Sequence, residues 1–151
     1  MKTSEQGIAM IRSFEGVKLT PYKDVAGRWT IGVGHLLAEG EGEEHETINS
    51  AQADAILRND LDAAEKAVTD LVRTPISQNE FDALVSFTFN LGRHALQGST
   101  LLRMLNSGDV DQAADQFVLW DKAHVNGKLT QVEGLTRRRM SERRMFVTGH
   151  A

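Results

Sequence analysis

Three polar residues of one short stretch, residues 14–35, have types and spacing that can do chemistry: Glu15, Asp24 and Thr30. Hydrolysis of a glycosidic bond needs a carboxylic acid that protonates the leaving oxygen and a second group, usually a carboxylate, that engages the anomeric carbon or its water. Glu15 is flanked by apolar residues and glycine, which suggests a partly desolvated acid, whereas Asp24 lies among basic residues that favour its ionised form. Thr30 can hold the water. An aspartate in such a turn is also an ordinary turn residue, so the three residues alone leave both interpretations open.

Two local elements must position these groups. A first helix is predicted to begin at Thr3, in a capping box with the glutamine three residues later, and to end at Gly16, which places Glu15 at its C-terminal end. The period of two in RWTIGVGH predicts one strand that runs as far as His35. On this strand Thr30 shares a face with two glycines, and such a face either packs against another backbone or leaves room for a ligand.

The remainder of the chain has helical periodicity. The predicted helices are one long helix over 49–72, one from Ser77 to near Asn90 with a buried stripe of Phe81, Leu84, Val85 and Phe89, two shorter ones near 99–106 and 109–120, and a last one over about 133–147. We therefore expect an α+β fold with a small mixed N-terminal lobe that contains a short β-sheet. The long helix would join it to a larger, all-helical C-terminal lobe, with a cleft between. The expected domain is 1–151, with lobes of about 1–60 and 61–151.

Composition restricts the class of protein. The chain has 151 residues, 40% of them hydrophobic and 25% charged, as in soluble globular domains. Cysteine is absent, which excludes disulfides and thiolate metal sites. The net charge is −4, yet residues 116–151 carry 7 basic and 3 acidic side chains. The N-terminus has no apolar run of signal-peptide or membrane-span length, so we expect a cytoplasmic protein without stable membrane insertion.

Several blocks of the sequence, in order, resemble one family. The blocks are Glu15, Asp24 and Thr30 with GRWTIGVGH, then FDALVSFTFNLG, STLLRMLNSGDVDQAADQFVLW and GLTRRRMSERRMF. They are similar to the phage-type lysozymes, glycoside hydrolase family 24. The resemblance implies a lysozyme-like fold and cleavage of the β-1,4 bond between N-acetylmuramic acid and N-acetylglucosamine in peptidoglycan. It also implies that Glu15 is the general acid, that Asp24 activates water with help from Thr30, that the reaction inverts the anomeric centre, and that no metal or cofactor takes part.

Other candidate residues have weaker signals. Asn90 and Arg137 are kept as substrate contacts, Asn90 because its block resembles a cleft-lining block and Arg137 because basic side chains suit the carboxylates of peptide stems. Arg138 and Arg139 are spaced to pair with Glu142 on one helix. We interpret His35 as a buried, hydrogen-bonded residue, and the scattered histidines do not have the spacing of zinc ligands.

The resemblance also implies a biological role, with alternatives. A phage endolysin of this kind accumulates as a monomer in the host cytoplasm and reaches the periplasm and cell wall when a holin opens the inner membrane, lysing the host. One alternative is a lytic transglycosylase, which uses a single glutamate on the same bond. Another is a non-catalytic cell-wall-binding module. A nucleic-acid partner is disfavoured by the overall acidity and the lack of a recognisable binding motif.

Overall fold

The computed structural model describes residues 1–42 and 44–151, and these form two compact units. One unit is Ile8–Asp62, and the other combines Met1–Gly7 with Ala63–Ala151. Most of the first helix, α1 (Glu5–Glu15), belongs to the smaller unit. The mixed α+β class is confirmed, with short antiparallel strands in a mostly helical chain.

The smaller unit is built on a three-stranded antiparallel sheet. Its strands are β1 (Lys18–Lys23), β2 (Trp29–Gly32) and β3 (His35–Leu36), in that order across the sheet. Helix α2 (Ser50–Asp60) begins at Asn49 in a capping box and packs on β2. Apolar side chains between the sheet and this helix form the core, namely Ile31, Ile48 and Ala53 with Leu19, Leu37 and Ile56 around them.

The prediction of one strand as far as His35 is wrong, because β2 ends at Gly32 and the chain reverses. Gly32 and Gly34 have φ of +67° and +68°, a left-handed region that favours glycine. After the turn, His35 pairs with Ile31. The sequence pattern misses this reversal because glycine and valine alternate through the turn as they would in a continuous strand.

The predicted start of α1 is also wrong by one residue. The Ser4 hydroxyl, not that of Thr3, accepts the Gly7 amide at 3.2 Å. Thr3 is occupied elsewhere, since its amide and hydroxyl donate to Glu65 Oε2 at 2.6 and 2.7 Å. A buried carboxylate from a distant helix has therefore displaced a local capping interaction.

The larger unit contains the remaining helices and one β-hairpin. Its elements are α3 (Asp62–Leu71), α4 (Gln78–Leu91), α5 (Arg93–Gln97), α6 (Thr100–Asn106), α7 (Val110–Gln116), a 3₁₀ turn (Phe117–Leu119), β4 (Lys122–Val125), β5 (Lys128–Gln131) and α8 (Glu133–Thr148). The predicted long helix is thus two helices, interrupted at Leu61. This residue keeps helical dihedrals, and its amide still donates to Leu57 O at 2.9 Å, so the apolar period continues across the interruption.

Helix α4 is the centre of the larger unit and is buried on every side. All of its residues Phe81–Thr88 are buried, so the stripe predicted from the sequence includes only some of the buried residues. Phe89, which the prediction included, is only half-buried. Phe87 is fully buried and makes edge contacts with Phe117 and Trp120, with ring centroids 5.6 and 5.5 Å away. A helix that is apolar on one face alone cannot fill this position.

The hairpin β4–β5 shows that the larger unit is not all-helical. Its turn is Asn126–Gly127, with φ of 52° and 76°, the dipeptide and conformation typical of tight hairpins. At the base, the buried Asp121 carboxylate accepts hydrogen bonds from Gln131 Nε2 at 2.7 Å and from Thr136 Oγ1 at 3.1 Å. Asp121 thus connects both strands to the first turn of α8.

Replacement of Asp121 by asparagine is expected to loosen this connection and to lower the Tm by about 2–4 °C, the effect of losing roughly one hydrogen bond. The Gln131 amide, with Lys122 and Thr136, holds the pKa of the Asp121 carboxyl below its ordinary value of 3.8. A lowered pKa in the folded state stabilises the fold fully above pH 3.8, and this contribution is lost as the pH falls through the lower value. Thermal melts should therefore show a constant difference between the two proteins at neutral pH, and the difference should shrink below about pH 4. A difference that grows on acidification would contradict this assignment.

Candidate active site

Glu15 lies at the end of a helix and faces a glycine turn. It is the last residue of α1 and is half-buried, and the Gly16 amide closes the helix on Arg12 O at 2.9 Å. A Cβ placed on Gly34 would lie 3.8 Å from Glu15 Oε2. The turn between β2 and β3 therefore comes up to the Glu15 carboxyl without a side chain.

Asp24 is held in the turn between β1 and β2 by three donors. Its Oδ1 accepts the amides of Ala26 and Arg28, both at 2.9 Å, and its Oδ2 accepts Arg28 Nε at 3.0 Å. The Arg28 amide, and then the Ala26 amide and the Arg28 charge, hold the pKa of the Asp24 carboxyl below its ordinary value of 3.8. The side chain is 20% exposed, so an ionised and immobilised carboxylate remains accessible to solvent.

Thr30 is attached to the same turn from β2. Its hydroxyl donates to Arg28 O at 3.0 Å, and the residue is 2% exposed. The strand face of glycines predicted around Thr30 is only partly open, because Gly32 packs against Ile48 and Ala53. A Cβ placed on Gly32 would lie 3.6 Å from the Ile48 side chain and 3.7 Å from that of Ala53. The hydroxyl oxygen can still accept a hydrogen bond, although the residue is almost fully buried.

Sequence reasoning treated Arg28 only as a nearby charge and missed its central role in this turn. Its amide and guanidinium bind Asp24, and its carbonyl binds Thr30, so one residue fixes both side chains. The signal was present in DVAGR, where an aspartate followed by Gly27 is typical of a turn in which the side chain accepts nearby amides. Gly27 has φ of 78°, as such a turn requires.

The two candidate substrate contacts lie in the larger unit. Asn90 is exposed near the end of α4, and its Oδ1 accepts Arg139 Nη2 at 2.7 Å. This leaves the amide nitrogen of Asn90 as a donor. Arg137 is exposed on α8 and pairs with Glu133 at 2.8 Å.

His35 is half-buried and pairs with a carboxylate. Its Nδ1 lies 2.8 Å from Asp60 Oδ2, the last residue of α2, and 34% of the side chain is exposed. It is hydrogen-bonded as predicted but less buried. The bond connects β3 to the end of α2 within the smaller unit.

The predicted pairing of Arg138 and Arg139 with Glu142 is confirmed, and it is buried. Glu142 lies 3.2 Å from Arg138 Nε and 2.9 Å from Arg139 Nε, and its Oε2 accepts the Ser86 hydroxyl at 2.5 Å. Burial raises the pKa of Glu142 against the attraction of Arg139 and Arg138, and burial lowers the pKa of Arg139. One desolvated carboxylate therefore pairs with both guanidinium groups.

The described chain, which leaves out only residue 43, bears on two other classes of site. No group of three or more histidine, aspartate or glutamate side chains in it is arranged to hold a metal ion. No helix in the same residues is long and apolar enough to cross a membrane.

Comparison with known proteins decides the family. The sequence profile of the family described as phage lysozyme matches residues 12–142, which include Asp24, Thr30 and Glu15. The chain belongs to the phage lysozyme family. An endolysin of Acyrthosiphon pisum secondary endosymbiont phage 1 is 40% identical over 146 residues, which are 97% of this chain and 98% of that protein.

Solved structures agree with this family in fold. The muramidase domain of SpmX from Asticaccaulis excentricus has a TM-score of 0.87 and 43% identity, with 97% of this chain and 98% of that chain covered. The endolysin from Escherichia coli O157:H7 phage FAHEc1 has a TM-score of 0.90 and 36% identity, with 99% and 95% covered. The lysozyme-like fold expected from the sequence is therefore confirmed, and the chain is a member of a muramidase family.

Proposed function

We propose that this phage lysozyme is an endolysin that hydrolyses the β-1,4 bond between N-acetylmuramic acid and N-acetylglucosamine in peptidoglycan. The observation that carries the proposal is the Asp24 turn, in which three N–H donors keep a carboxylate ionised and fixed while leaving it accessible to solvent. Hydrolysis needs such a group beside a separate acid, and Glu15 at the end of α1 supplies that acid. Family membership supplies the substrate class.

In this mechanism Glu15 donates its proton to the glycosidic oxygen as the bond to the anomeric carbon breaks. Asp24 orients a water molecule on the opposite face of the sugar and takes its proton as the new C–O bond forms. The three hydrogen bonds that fix Asp24 suit a group that holds a water molecule in one orientation. Thr30, which shares Arg28 with Asp24, helps to hold that water. The product is inverted at the anomeric carbon, and no step needs a metal or cofactor.

The cellular role follows from the same assignment. The enzyme, a monomer, accumulates in the host cytoplasm, reaches the peptidoglycan after a holin permeabilises the inner membrane, and lyses the host. Asn90 and Arg137 contact the substrate, Asn90 through its remaining amide donors and Arg137 through its exposed guanidinium. A lytic transglycosylase is the second candidate, but a reaction without water has no use for an Asp24 carboxylate held by three donors.

Replacement of Asp24 by asparagine tests the proposal. The variant can still accept both backbone amides but has no charge with which to take a proton from water, so we expect lysis of outer-membrane-permeabilised Gram-negative cells to slow by about 100-fold. The wild type should also lose activity on acidification only below about pH 4, because the pKa of Asp24 is below 3.8. The measurement is the initial rate of turbidity loss between pH 3 and pH 8.

The matched control is Asp111→Asn, which removes an exposed carboxylate from the first turn of α7. It should lyse cells at the wild-type rate. Wild-type lysis by Asp24→Asn, with its fold intact by circular dichroism, would remove Asp24 from the mechanism. If activity falls on acidification with a midpoint well above pH 4, the group that titrates there is not Asp24.

A further inference from the structure

The tip of the β4–β5 hairpin carries an exposed asparagine followed by a glycine. Asn126 and Gly127 have φ of 52° and 76°, and both are exposed. The Asn126 side chain makes no hydrogen bond with any residue that the structure describes, and the Gly127 amide donates to no acceptor among the same residues. A Cβ placed on Gly127 would meet nothing within 4 Å. A free side-chain amide therefore lies next to a free and unshielded backbone amide.

The other five asparagines of the chain are restrained by helices. One caps α2 and four lie inside helices, where helical or capping hydrogen bonds engage the backbone. Asn106, for example, donates from its side chain to Leu71 O at 3.0 Å, and the amide of Ser107 after it donates to Arg103 O at 3.1 Å. None of the five precedes a glycine. They are Asn49, Asn59, Asn79, Asn90 and Asn106.

The two amides at the tip can react with each other. When the Gly127 amide loses its proton to hydroxide, its nitrogen attacks Asn126 Cγ and closes a succinimide ring, while the side-chain nitrogen takes a proton from water and leaves as ammonia. Water then opens the ring. Cleavage of the bond from the ring nitrogen to Cγ gives aspartate, and cleavage at the main-chain carbonyl carbon gives isoaspartate. Nucleophile and electrophile are joined in one chain, which favours the attack.

The charge around the tip also favours this reaction. The hairpin Lys122–Gln131 has two lysines, one histidine and no carboxylate, although the chain as a whole is acidic. Lys128 directly follows Gly127, and its side chain makes no hydrogen bond or ion pair with any residue that the structure describes. A cation next to the reacting groups stabilises the negative charge that develops as the amide nitrogen attacks.

We propose that Asn126 is a site of spontaneous deamidation in the folded protein, through a succinimide with Gly127 and with Lys128 promoting the attack. The product carries a new carboxylate at a tip that was basic. Isoaspartate also lengthens the main chain of a two-residue turn by one atom, which loosens the pairing of Val125 with Lys128. Asp121 still holds the base of the hairpin. This modification does not depend on the proposed function.

Peptide mapping measures the reaction. The native protein is incubated in ¹⁸O-labelled water at about pH 8 and about pH 5 and then digested with trypsin in ordinary water. Cleavage after Lys122 and Lys128 releases residues 123–128, which contain Asn126. At the higher pH we expect aspartate and isoaspartate at this position, both carrying ¹⁸O because water opened the ring during incubation. At the lower pH the amide should remain, since the attacking nitrogen keeps its proton.

Lys128→Gln tests the local charge. Loss of one exposed charge interaction should slow the reaction by about 2- to 5-fold. The matched control is Arg73→Gln, which removes an exposed cation from the loop after α3 and should deamidate at Asn126 as the wild type does. Within the wild-type map, Asn106 should keep its amide. Asn126→Gly, which suits the same turn, should show no change at the tip.

Four results would overturn the proposal. The first is an intact Asn126 in the folded protein at about pH 8, with deamidation in urea, because the fold would then protect the site. The second is aspartate without isoaspartate, which would exclude the succinimide. The third is deamidation of Asn106 as fast as that of Asn126. The fourth is an equal rate in Lys128→Gln and Arg73→Gln, which would exclude the assistance by Lys128.

Discussion

Glu15→Gln is expected to lower the rate of cell lysis by about 100- to 10,000-fold, the range for loss of a general acid. The amide has the size of the carboxyl but no proton to give to the leaving oxygen. Because Glu15 is the last residue of α1 and only half-buried, and the amide has the size of the carboxyl, the substitution should leave the fold intact. The measurement is turbidity loss of outer-membrane-permeabilised cells, with substrate binding followed on soluble strands. We expect the rate to fall and binding to remain.

The matched control is Glu39→Gln, an exposed glutamate in the loop after β3 of the same unit. It should lyse cells as the wild type does, because it removes a carboxylate without touching the site. Rapid lysis by Glu15→Gln would exclude Glu15 as the acid. An equal loss in both variants would mean that the assay responds to charge and not to chemistry.

Glu142→Gln is expected to be the most destabilising of the substitutions considered. It would remove the carboxylate that faces two buried guanidinium groups, and breaking a buried ion pair from one side costs about 3–5 kcal/mol. Arg139 is fully buried, and its Nε and Nη1 have no aligned hydrogen-bond acceptor among the described residues, so Glu142 supplies mainly charge. Arginine stays protonated in proteins, so neither side chain can become neutral by losing a proton. The free energy of unfolding in urea should fall by that amount, with a Tm lower by roughly 10 °C.

The same helix offers the control. Glu133 also pairs with an arginine four residues on, but the two side chains are 86% and 69% exposed, so Glu133→Gln should change stability by less than about 0.5 kcal/mol. A second comparison replaces all three buried charges with apolar residues of similar volume, which should restore most of the stability lost in Glu142→Gln. Equal stability of Glu142→Gln and Glu133→Gln would show that the buried cluster does not depend on its carboxylate.

Local sequence signals predicted the features that depend on neighbouring residues. The helix starts at Asn49 and Ser77 are present as expected, each in a capping box whose two partners lie within one helical turn. The predicted helix end at Gly16, which places Glu15, is also present, and Gly16 has a left-handed φ of 74° there. The hairpin at Asn126–Gly127 carried an equally local signal, an Asn-Gly pair between short β-type runs, and could have been predicted.

Other features depend on residues far apart in the chain. The start of α1 moved because Glu65, 62 positions from Thr3, binds the expected cap. The contact between Arg139 and Asn90 spans 49 positions, and the all-round burial of α4 reflects its central place in the larger unit. Such contacts arise only when elements pack, so a periodicity or motif in one segment cannot show them.

The central claim is that water attacks the anomeric carbon of muramic acid while Glu15 protonates the leaving oxygen. Digestion of peptidoglycan strands in ¹⁸O-labelled water, followed by mass spectrometry of the fragments, tests it most directly. The account predicts reducing muramic acid ends that each carry one ¹⁸O atom, and their absence in digests by Glu15→Gln. Fragments that end in unlabelled 1,6-anhydromuramic acid would contradict it, since they form without water and would identify a transglycosylase.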